Sequence, residues 1–213
     1  MSKGLSTRRL PKSGIYRLAL YSRYLSGISK NDDDYISSQE LADATGHTAA
    51  QVRKDLTWHG GLGEAGKGYE IRKLKTMLTA AFGKERVRNV ILVGVGNLGR
   101  ALISYSGFQL QKFNIIAAFD RDIGKIGTYV EDILVSDIRE LDSKIADMEV
   151  EIAIVAVPKL SLQQVVNRLV ASGIRAILNF APTLATVPEG IEMQNVDLSI
   201  ELDRFCYLLE GNS

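Results

Sequence analysis

The sequence predicts an α/β protein with two domains, and three observations lead to this prediction. Two short helical stretches joined by a glycine-containing turn, with a glycine-rich segment after them, lie in the first third of the chain. A glycine-spaced turn then follows a run of apolar residues. Beyond it, apolar strands alternate with helical stretches. This order is typical of a winged helix-turn-helix domain followed by a Rossmann parallel-sheet domain.

Charge is unevenly divided along the 213 residues. Through Arg88 the chain holds 16 Lys and Arg against 9 Asp and Glu, a balance of +7, whereas the remainder holds 10 against 16, a balance of −6. The total of +1 therefore conceals a basic first half. A basic region joined to an acidic α/β region suggests that the first part meets a polyanion. An uneven scatter of solvated charges is the alternative.

Cys206 is the only cysteine, so no disulfide can form within one chain and a cytoplasmic protein is expected. We interpret this cysteine as a lone buried thiol. A thiol that modulates dimerisation when oxidised is the alternative. No stretch approaches the roughly 18 apolar residues of a membrane span, and the N-terminus lacks the apolar core of a signal peptide. We expect neither membrane association nor a metal site.

The N-terminal elements can be placed from their spacing. The first twelve residues, which include Arg8 and Arg9, are predicted to form a flexible basic arm. Apolar residues at helical spacing predict a first helix over 15–28. Ser37 and Glu40 have the spacing of a capping box, which predicts that a second helix begins there.

The next helix, capped by Thr48, is predicted to bury one face and expose another. The buried stripe consists of Ala49, Val52 and Leu56. Gln51, Arg53 and Lys54 lie on or near the opposite side, which in a helix-turn-helix protein enters the major groove. Glutamine is suited to reading a base edge, and the two cations to contacting guanine or phosphate. A helical cap used only for dimer contacts is the alternative.

Five glycines between Gly60 and Gly68, with Lys67 among them, predict a small β-hairpin, or wing, after that helix. An amphipathic helix over 72–82 and a short linker follow. We therefore expect a winged-helix domain at 1–83, a Rossmann domain at 84–196 and a C-terminal helix at 197–213.

The last helix has an apolar stripe formed by Leu198, Leu202, Phe205 and Leu209. It is suited to binding a partner, and packing against its own sheet is the alternative.

The glycine-spaced turn carries the clearest chemical information. Gly94, Gly96 and Gly99 follow an apolar run, and Asp120 ends the next one. The first glycine allows a tight turn, the second lets the backbone approach a pyrophosphate, and the third lets helix and strand pack closely. The pattern predicts a dinucleotide site. An ordinary βα turn containing glycines is the alternative.

The remaining segments are predicted to complete a parallel sheet. Strands are expected at 133–135, 151–157 and 176–180, and helices at 137–141 and 161–172. Ligands bind such sheets outside the carboxyl ends of the strands. This rule places Asp120, Val157, Pro158 and the turn at 179–182 around one crevice.

Asp120 and Arg121 bear on which dinucleotide would bind. An aspartate at this position accepts hydrogen bonds from both ribose hydroxyls and repels a 2′-phosphate, which favours NAD(H) over NADP(H). The adjacent arginine is the counter-argument, because arginine can accommodate that phosphate.

Two other functions remain open on the residues alone. A small nicotinamide-dependent oxidoreductase would need an acid or base near the hydride, yet His47 and His59 both lie in the N-terminal part. Only 125 residues follow Arg88, which leaves no room for a second substrate domain. A CoA- or nucleotide-binding scaffold without DNA affinity would share the same topology, and salt-sensitive duplex binding would distinguish the two.

Six segments, taken in order, resemble those of the Rex redox-sensing transcriptional repressors, and the similarity spans nearly the whole chain. They are Ser37–Ala42, Gln51–Leu56, Gly66–Tyr69, Gly94–Gly99, Asn179–Pro182 and Asn195–Leu198. The resemblance implies a homodimer with winged helices on double-stranded operator DNA and Rossmann domains that bind NAD⁺ or NADH. It also implies a final helix exchanged between subunits. Such a protein releases DNA when NADH binds, and it is not an enzyme.

The patterns and the resemblance together give the candidate site residues. The candidate nucleotide contacts are Gly94, Val95, Gly96, Asn97, Leu98, Gly99, Asp120, Arg121, Val157, Pro158, Asn179, Phe180, Ala181 and Pro182. The candidate DNA contacts are Arg8, Arg9, Gln51, Arg53, Lys54 and Lys67. By resemblance, Arg23, Tyr105 and Asp197 would form a polar switch that links the two domains across the dimer.

The chain also departs from the Rex pattern. Trp58-His59-Gly60 stands where these proteins often have Tyr-Phe-Gly, and Glu64-Ala65 replaces a basic wing tip. The wing thus loses one positive charge and gains a negative one, which bears on minor-groove binding and on operator sequence. Leu198 stands where some relatives place an aromatic residue near the nicotinamide, so we assign Leu198 no cofactor role.

Overall fold

A computed structural model of the chain describes residues 10–58, 60 and 63–211. Contacts divide the chain into two compact units between Arg86 and Val87. This division falls three residues beyond the domain end expected at 83, and the C-terminal helix is grouped with the second unit. Arg8 and Arg9, two of the expected DNA contacts, lie outside the described residues.

The first unit is a winged helix, as the sequence predicts. Its elements are α1 (Lys12–Gly27), β1 (Tyr35–Ile36), α2 (Ser38–Thr45), α3 (Ala49–Thr57), β2 (Gly63–Glu64), β3 (Gly68–Glu70) and α4 (Ile71–Ala81). The three strands form an antiparallel sheet in the order β1-β3-β2, and β2 and β3 make the predicted hairpin. The two-residue strand β1 was not predicted, because it exists only through its pairing with β3.

The helix-turn-helix is fixed by local hydrogen bonds that the sequence encodes. The Ser37 hydroxyl accepts a bond from the Glu40 amide, while the Glu40 carboxylate accepts one from the Ser37 amide, which completes the capping box. Gly46 ends α2 at a φ of +70°, a conformation that glycine adopts without strain. The Thr48 hydroxyl then caps α3 by accepting a bond from Gln51 N–H.

A buried carboxylate joins α3 to α1. Asp55 is 2% exposed, and Arg17 donates to it with Nε at 2.6 Å and Nη2 at 2.8 Å. The Tyr21 hydroxyl and the Gln51 side-chain amide donate to the same carboxylate at 3.1 Å and 2.8 Å. Burial raises the pKa of Asp55, but the bonds from Arg17, Gln51 and Tyr21 outweigh burial, so the pKa lies below its ordinary value. The carboxylate therefore stays charged and sets the position of α3.

The second unit is a Rossmann domain followed by a terminal helix. Its elements are β4 (Arg88–Val93), α5 (Asn97–Ile103), α6 (Gly107–Leu110), β5 (Phe113–Asp120), β6 (Tyr129–Val130), β7 (Ile133–Asp137), α7 (Leu141–Ile145), β8 (Ile152–Val155), α8 (Leu162–Ala171), β9 (Ala176–Asn179), β10 (Glu192–Asn195) and α9 (Leu198–Glu210). The strand order is β10-β9-β8-β4-β5-β7-β6, and every pairing is parallel except that of β6 with β7. The order reverses between β4 and β8, which is where such sheets bind ligands.

The terminal helix α9 differs from two expectations. None of its residues is buried in the single chain, and its large apolar side chains are 48–80% exposed. The alternative that α9 packs against its own sheet is therefore wrong for this structure. Cys206 is exposed on the same helix, so its expected burial within the chain is also wrong.

Among the described helices, none is long and apolar enough to cross a membrane.

The Asp55 network gives a stability prediction. Asp55→Ala would leave the Arg17 guanidinium and the Tyr21 hydroxyl without their acceptor, so we expect the first unit to lose about 3 kcal/mol of its free energy of unfolding. Urea denaturation followed by tryptophan fluorescence measures this loss, because the single tryptophan, Trp58, directly follows α3.

Asp33→Ala is the matched control, since Asp33 pairs with Arg72 at the surface and should contribute less than about 1 kcal/mol. The contribution of Asp55 should be complete above about pH 4, the unfolded pKa of Asp. It should disappear as the pH falls through the lower folded pKa, because the protonated acid no longer attracts Arg17. An unchanged urea midpoint in Asp55→Ala would contradict the assignment.

Candidate functional site

The turn after β4 packs closely against the end of the neighbouring strand β8. Gly94 has a φ of +98°, and a Cβ there would collide with the carbonyl oxygen of Ala156 at the end of β8. A Cβ at Gly99 would collide with the carbonyl oxygen of Gly94. Gly94 therefore forms the tight turn, and Gly99 permits the close packing, that the spacing predicts.

Gly96 has a different environment. No heavy atom lies within 4 Å of the position that its Cβ would take, and its φ of −78° suits any residue. The space beside Gly96 opens into the cleft, so this glycine is required for neither packing nor backbone conformation. Its lack of a side chain fits the close approach of a pyrophosphate.

Asp120 ends β5 beside this turn and is 7% exposed. Its Oδ2 accepts a bond from Val95 N–H at 2.8 Å and lies 3.1 Å from Lys125 Nζ, while its Oδ1 accepts a bond from Asp122 N–H at 2.9 Å. Burial raises the pKa of this carboxyl, but the two amides and Lys125 outweigh burial and hold the pKa below its ordinary value. The turn and Lys125 thus fix an ionised acid at the cleft.

The cleft has a volume of about 690 Å³ and lies at the carboxyl ends of β4, β5 and β8. Six predicted nucleotide contacts line it, namely Gly94, Gly96, Asp120, Arg121, Val157 and Pro158. Val95 and Gly99 are buried behind the turn, where Val95 contributes its amide to Asp120. Asn97 and Leu98 are exposed at the start of α5.

The turn at 179–182 does not line this cleft. Asn179 is fully buried, and its amide nitrogen donates to Thr183 O at 2.9 Å and Asn195 Oδ1 at 2.8 Å. Its Oδ1 accepts a bond from Ala181 N–H. The Asn179 side chain therefore holds the β9 turn in place, which differs from the expected nucleotide contact. Phe180 and Ala181 pack into the core, and Pro182 is exposed.

Three basic residues that line the cleft were not predicted from the sequence. Lys125, Arg139 and Arg168 line it, although Arg139 pairs with Asp137 and Arg168 with Asp142. Only Lys125 carried a usable signal, because it lies five residues after the acid that ends β5. The other two reach the cleft through tertiary packing.

The exposed face of α3 carries two of the predicted DNA contacts. Arg53 and Lys54 are exposed, and Arg53 Nη1 donates to the Ser38 hydroxyl at 2.9 Å. Gln51 differs from expectation, because its amide is turned toward Asp55 instead of away from the core. Lys67, in the turn between β2 and β3, is exposed and pairs with Glu64.

The three residues expected to form a switch are all near the surface. Arg23 is exposed on α1, and Tyr105 is 53% exposed with its ring edge-to-face against Phe108. The Asp197 carboxylate caps α9 by accepting bonds from Ser199 N–H and Oγ. These bonds hold the pKa of Asp197 below its ordinary value.

Within the described ranges, no three His, Cys, Asp or Glu side chains are grouped as metal ligands would be.

The fold and the cleft define a class of protein, a two-unit chain with a winged helix ahead of a Rossmann nucleotide-binding domain. Family models agree with this division. Residues 9–57 match the family described as "Putative DNA-binding protein N-terminus", and residues 85–183 match the CoA binding domain.

Curated relatives identify the family. The redox-sensing transcriptional repressor Rex of Carboxydothermus hydrogenoformans is 40% identical over 195 residues, which covers 92% of this chain and 94% of the relative. Rex of Streptomyces coelicolor is 42% identical over 92% of this chain and 76% of its own length. This chain belongs to the Rex family of redox-sensing transcriptional repressors. These relatives are named as repressors and not as enzymes.

Solved structures agree with the family assignment. RSP, a Rex-family repressor, was solved with β-NAD⁺ and operator DNA, and that structure matches with a TM-score of 0.89 at 37% identity, over 97% of this chain and 95% of RSP. RSP with β-NADH matches with a TM-score of 0.84 at 36% identity, over 95% of each chain.

The different environments of Gly96 and Gly99 give a second prediction. Gly99→Ala should destabilise the second unit by about 3 kcal/mol, because the new methyl group collides with backbone that cannot move aside. Gly96→Ala should leave the thermal midpoint within a degree or two of wild type, since its Cβ enters open space. Thermal unfolding followed by circular dichroism measures both, and equal destabilisation of the two variants would contradict the assigned roles.

Proposed function

We propose that this protein is a transcriptional repressor that binds operator DNA when NADH is scarce and releases it when NADH binds. The observation that carries the proposal is the presence, in one chain, of a cationic winged-helix surface and a dinucleotide cleft with an ionised acid at its edge. The RSP structure that contains both β-NAD⁺ and operator DNA supports it, because that protein matches almost the full length of this chain. Such a regulator acts in the cytoplasm, where its DNA and its nucleotide are found.

The residues of the cleft fit NAD⁺ or NADH. The open space at Gly96 would admit the pyrophosphate, and the Asp120 carboxylate would accept hydrogen bonds from the adenosine ribose hydroxyls. Val157 and Pro158 provide apolar walls. Bound nucleotide supplies the signal, which is the redox state of its nicotinamide, and the protein supplies no catalytic group.

The DNA surface is assigned to α3 and the wing. Arg53 and Lys54 project from the exposed face of α3, where guanidinium and ammonium groups suit guanine edges and phosphates. Gln51 contributes by holding Asp55. Arg8 and Arg9, which lie outside the described residues, are proposed as DNA contacts from the sequence alone.

The active form is proposed to be a homodimer in which the exposed apolar surface of α9 is covered by the other subunit. Two recognition helices then meet half-sites about one DNA turn, ~34 Å, apart. Arg23, Tyr105 and Asp197 are the groups proposed to exchange partners when NADH alters that spacing.

Nucleotide and DNA are linked through one coupling free energy. NADH must bind the DNA-incompetent dimer more tightly than the competent one, and DNA must weaken NADH binding by the same factor. A coupling of ~3 kcal/mol would change DNA affinity roughly 150-fold.

Selection of duplexes from a random library, with NAD⁺ or NADH at matched salt, tests the proposal. Enrichment of a palindrome that NADH releases is the expected result. Nucleotide binding without duplex enrichment would instead favour a nucleotide-binding scaffold or a small oxidoreductase, and would overturn the repressor assignment.

Gly96→Ala separates the two activities. We expect it to fold and to bind the selected operator like wild type, because the substitution lies in the second unit. The added methyl group should obstruct the pyrophosphate, so operator binding should no longer respond to NADH. Fluorescence anisotropy of labelled operator during an NADH titration measures this, and release at the wild-type NADH concentration would refute the assigned role of Gly96.

Asp120→Asn tests the choice of nucleotide. The variant keeps the size of the side chain and removes the charge that repels a 2′-phosphate, while Arg121 and Lys125 remain at the cleft. Its amide nitrogen also replaces one of the two oxygens that accept hydrogen bonds from Val95 N–H, Asp122 N–H and Lys125, so a thermal unfolding midpoint is measured alongside. We expect the preference for NADH over NADPH to fall by at least about tenfold, which corresponds to ~1.4 kcal/mol. Calorimetric titration with both nucleotides measures the ratio. An unchanged ratio would show that Asp120 does not face the adenosine ribose.

A further inference from the structure

The wing, defined here as residues 63–70, has a single cation with which to contact DNA. Lys67 is the only Lys or Arg between Lys54 and Arg72 in the sequence. Any contact between a wing cation and the phosphate backbone must therefore use Lys67. Its surroundings determine how much the wing contributes to the proposed DNA surface.

Lys67 is engaged within the wing itself. Its Nζ lies 3.2 Å from Glu64 Oε2 and 5.5 Å from the centroid of the Tyr35 ring. The Tyr35 hydroxyl donates to Glu64 Oε1 at 2.8 Å. The three side chains come from β1, β2 and the turn after β2, so the small sheet brings them together.

Tyr35 has a specific part in this cluster. Its hydroxyl holds one carboxylate oxygen of Glu64, which leaves the other oxygen directed at Lys67. Its ring face offers Lys67 a second favourable contact. The Lys67 ammonium group thus contacts both the Glu64 carboxylate and the face of the Tyr35 ring. The Glu64 carboxylate is itself held by the hydrogen bond from the Tyr35 hydroxyl.

We propose that Glu64 is an affinity-setting residue of the DNA interface, which retains Lys67 within the wing and withholds this cation from the phosphate backbone. The inference rests on the proposed function and deepens it. DNA is a polyanion whose binding strength and salt dependence follow the number of phosphates that cations neutralise. A wing whose cation is already paired with a carboxylate adds little to the binding strength or to the salt dependence.

The strength of the pair sets the size of the effect. The side chains of Lys67 and Glu64 are 65% and 45% exposed, and ion pairs at such positions are weak and screened by salt. Glu64 and a DNA phosphate therefore compete for Lys67 with ion-pair energies of similar size. It reduces the contribution of Lys67 by a modest factor, so it tunes DNA affinity and does not abolish binding.

Glu64→Gln tests the proposal in the full-length protein. Glutamine keeps an oxygen that accepts the Tyr35 hydroxyl, so the wing should retain its conformation. We expect several-fold tighter binding to both the selected operator and an unrelated duplex of equal length. The slope of log K against log salt should become steeper by about 0.9 for each wing that contacts DNA.

Lys67→Gln completes a double-substitution cycle. Alone it should weaken binding only slightly, because the wild-type lysine is already paired. In the Glu64→Gln background it should remove most of the gain in affinity and in salt slope. Asp43→Asn is the matched charge control, since Asp43 lies in the same unit and accepts a bond from the neutral amide of Gln39. It should leave the salt slope unchanged.

Three results would overturn the inference. Affinity unchanged by Glu64→Gln would show that Lys67 is not withheld. A gain of equal size in the Lys67→Gln background would show that Glu64 only repels phosphate. A gain matched by Asp43→Asn would show a general effect of net charge. In each case operator release by NADH would still stand, whereas failure of every form to bind any duplex would refute the proposed function as well.

Discussion

The contact between the Gly94 turn and the end of β8 is the constraint on which the nucleotide cleft depends. Only a residue without a side chain can pass the Ala156 carbonyl, and only glycine at position 99 lets α5 begin so close to the turn. The turn places Val95 N–H within reach of Asp120. One packing requirement therefore positions the proposed pyrophosphate and ribose sites together.

Each unit relies on a buried carboxylate that the chain itself satisfies. Asp55 receives four hydrogen bonds from three side chains and orients α3, whereas Asp120 is held by two backbone amides and Lys125 at the cleft. In both, the donors outweigh the cost of burial, so the acid stays ionised. Each proposed binding surface thus has an ionised carboxylate held in a fixed position beside it.

Features encoded by neighbouring residues were predictable, and those created by tertiary contact were not. The Ser37 capping box and the Gly94 turn follow from local geometry, so spacing alone located them. The short strands β1, β6 and β10 form only through pairing with a neighbouring strand. The hydrogen bond between Asn179 and Asn195 joins residues that are distant in sequence, so residue type suggested a ligand contact instead. Gln51 and Asp55 are four residues apart on α3, a spacing at which helix side chains meet, so their bond could have been predicted from the sequence.

The Asp55 network also determines how movement can travel through the winged helix. Arg17 and Tyr21 lie on α1, and both hold a residue of the last turn of α3. A rotation of α1 would break several charged hydrogen bonds unless α3 rotated with it. We therefore expect the two helices to move together, so that a displacement of α1, on whose exposed side Arg23 lies, would also displace α3.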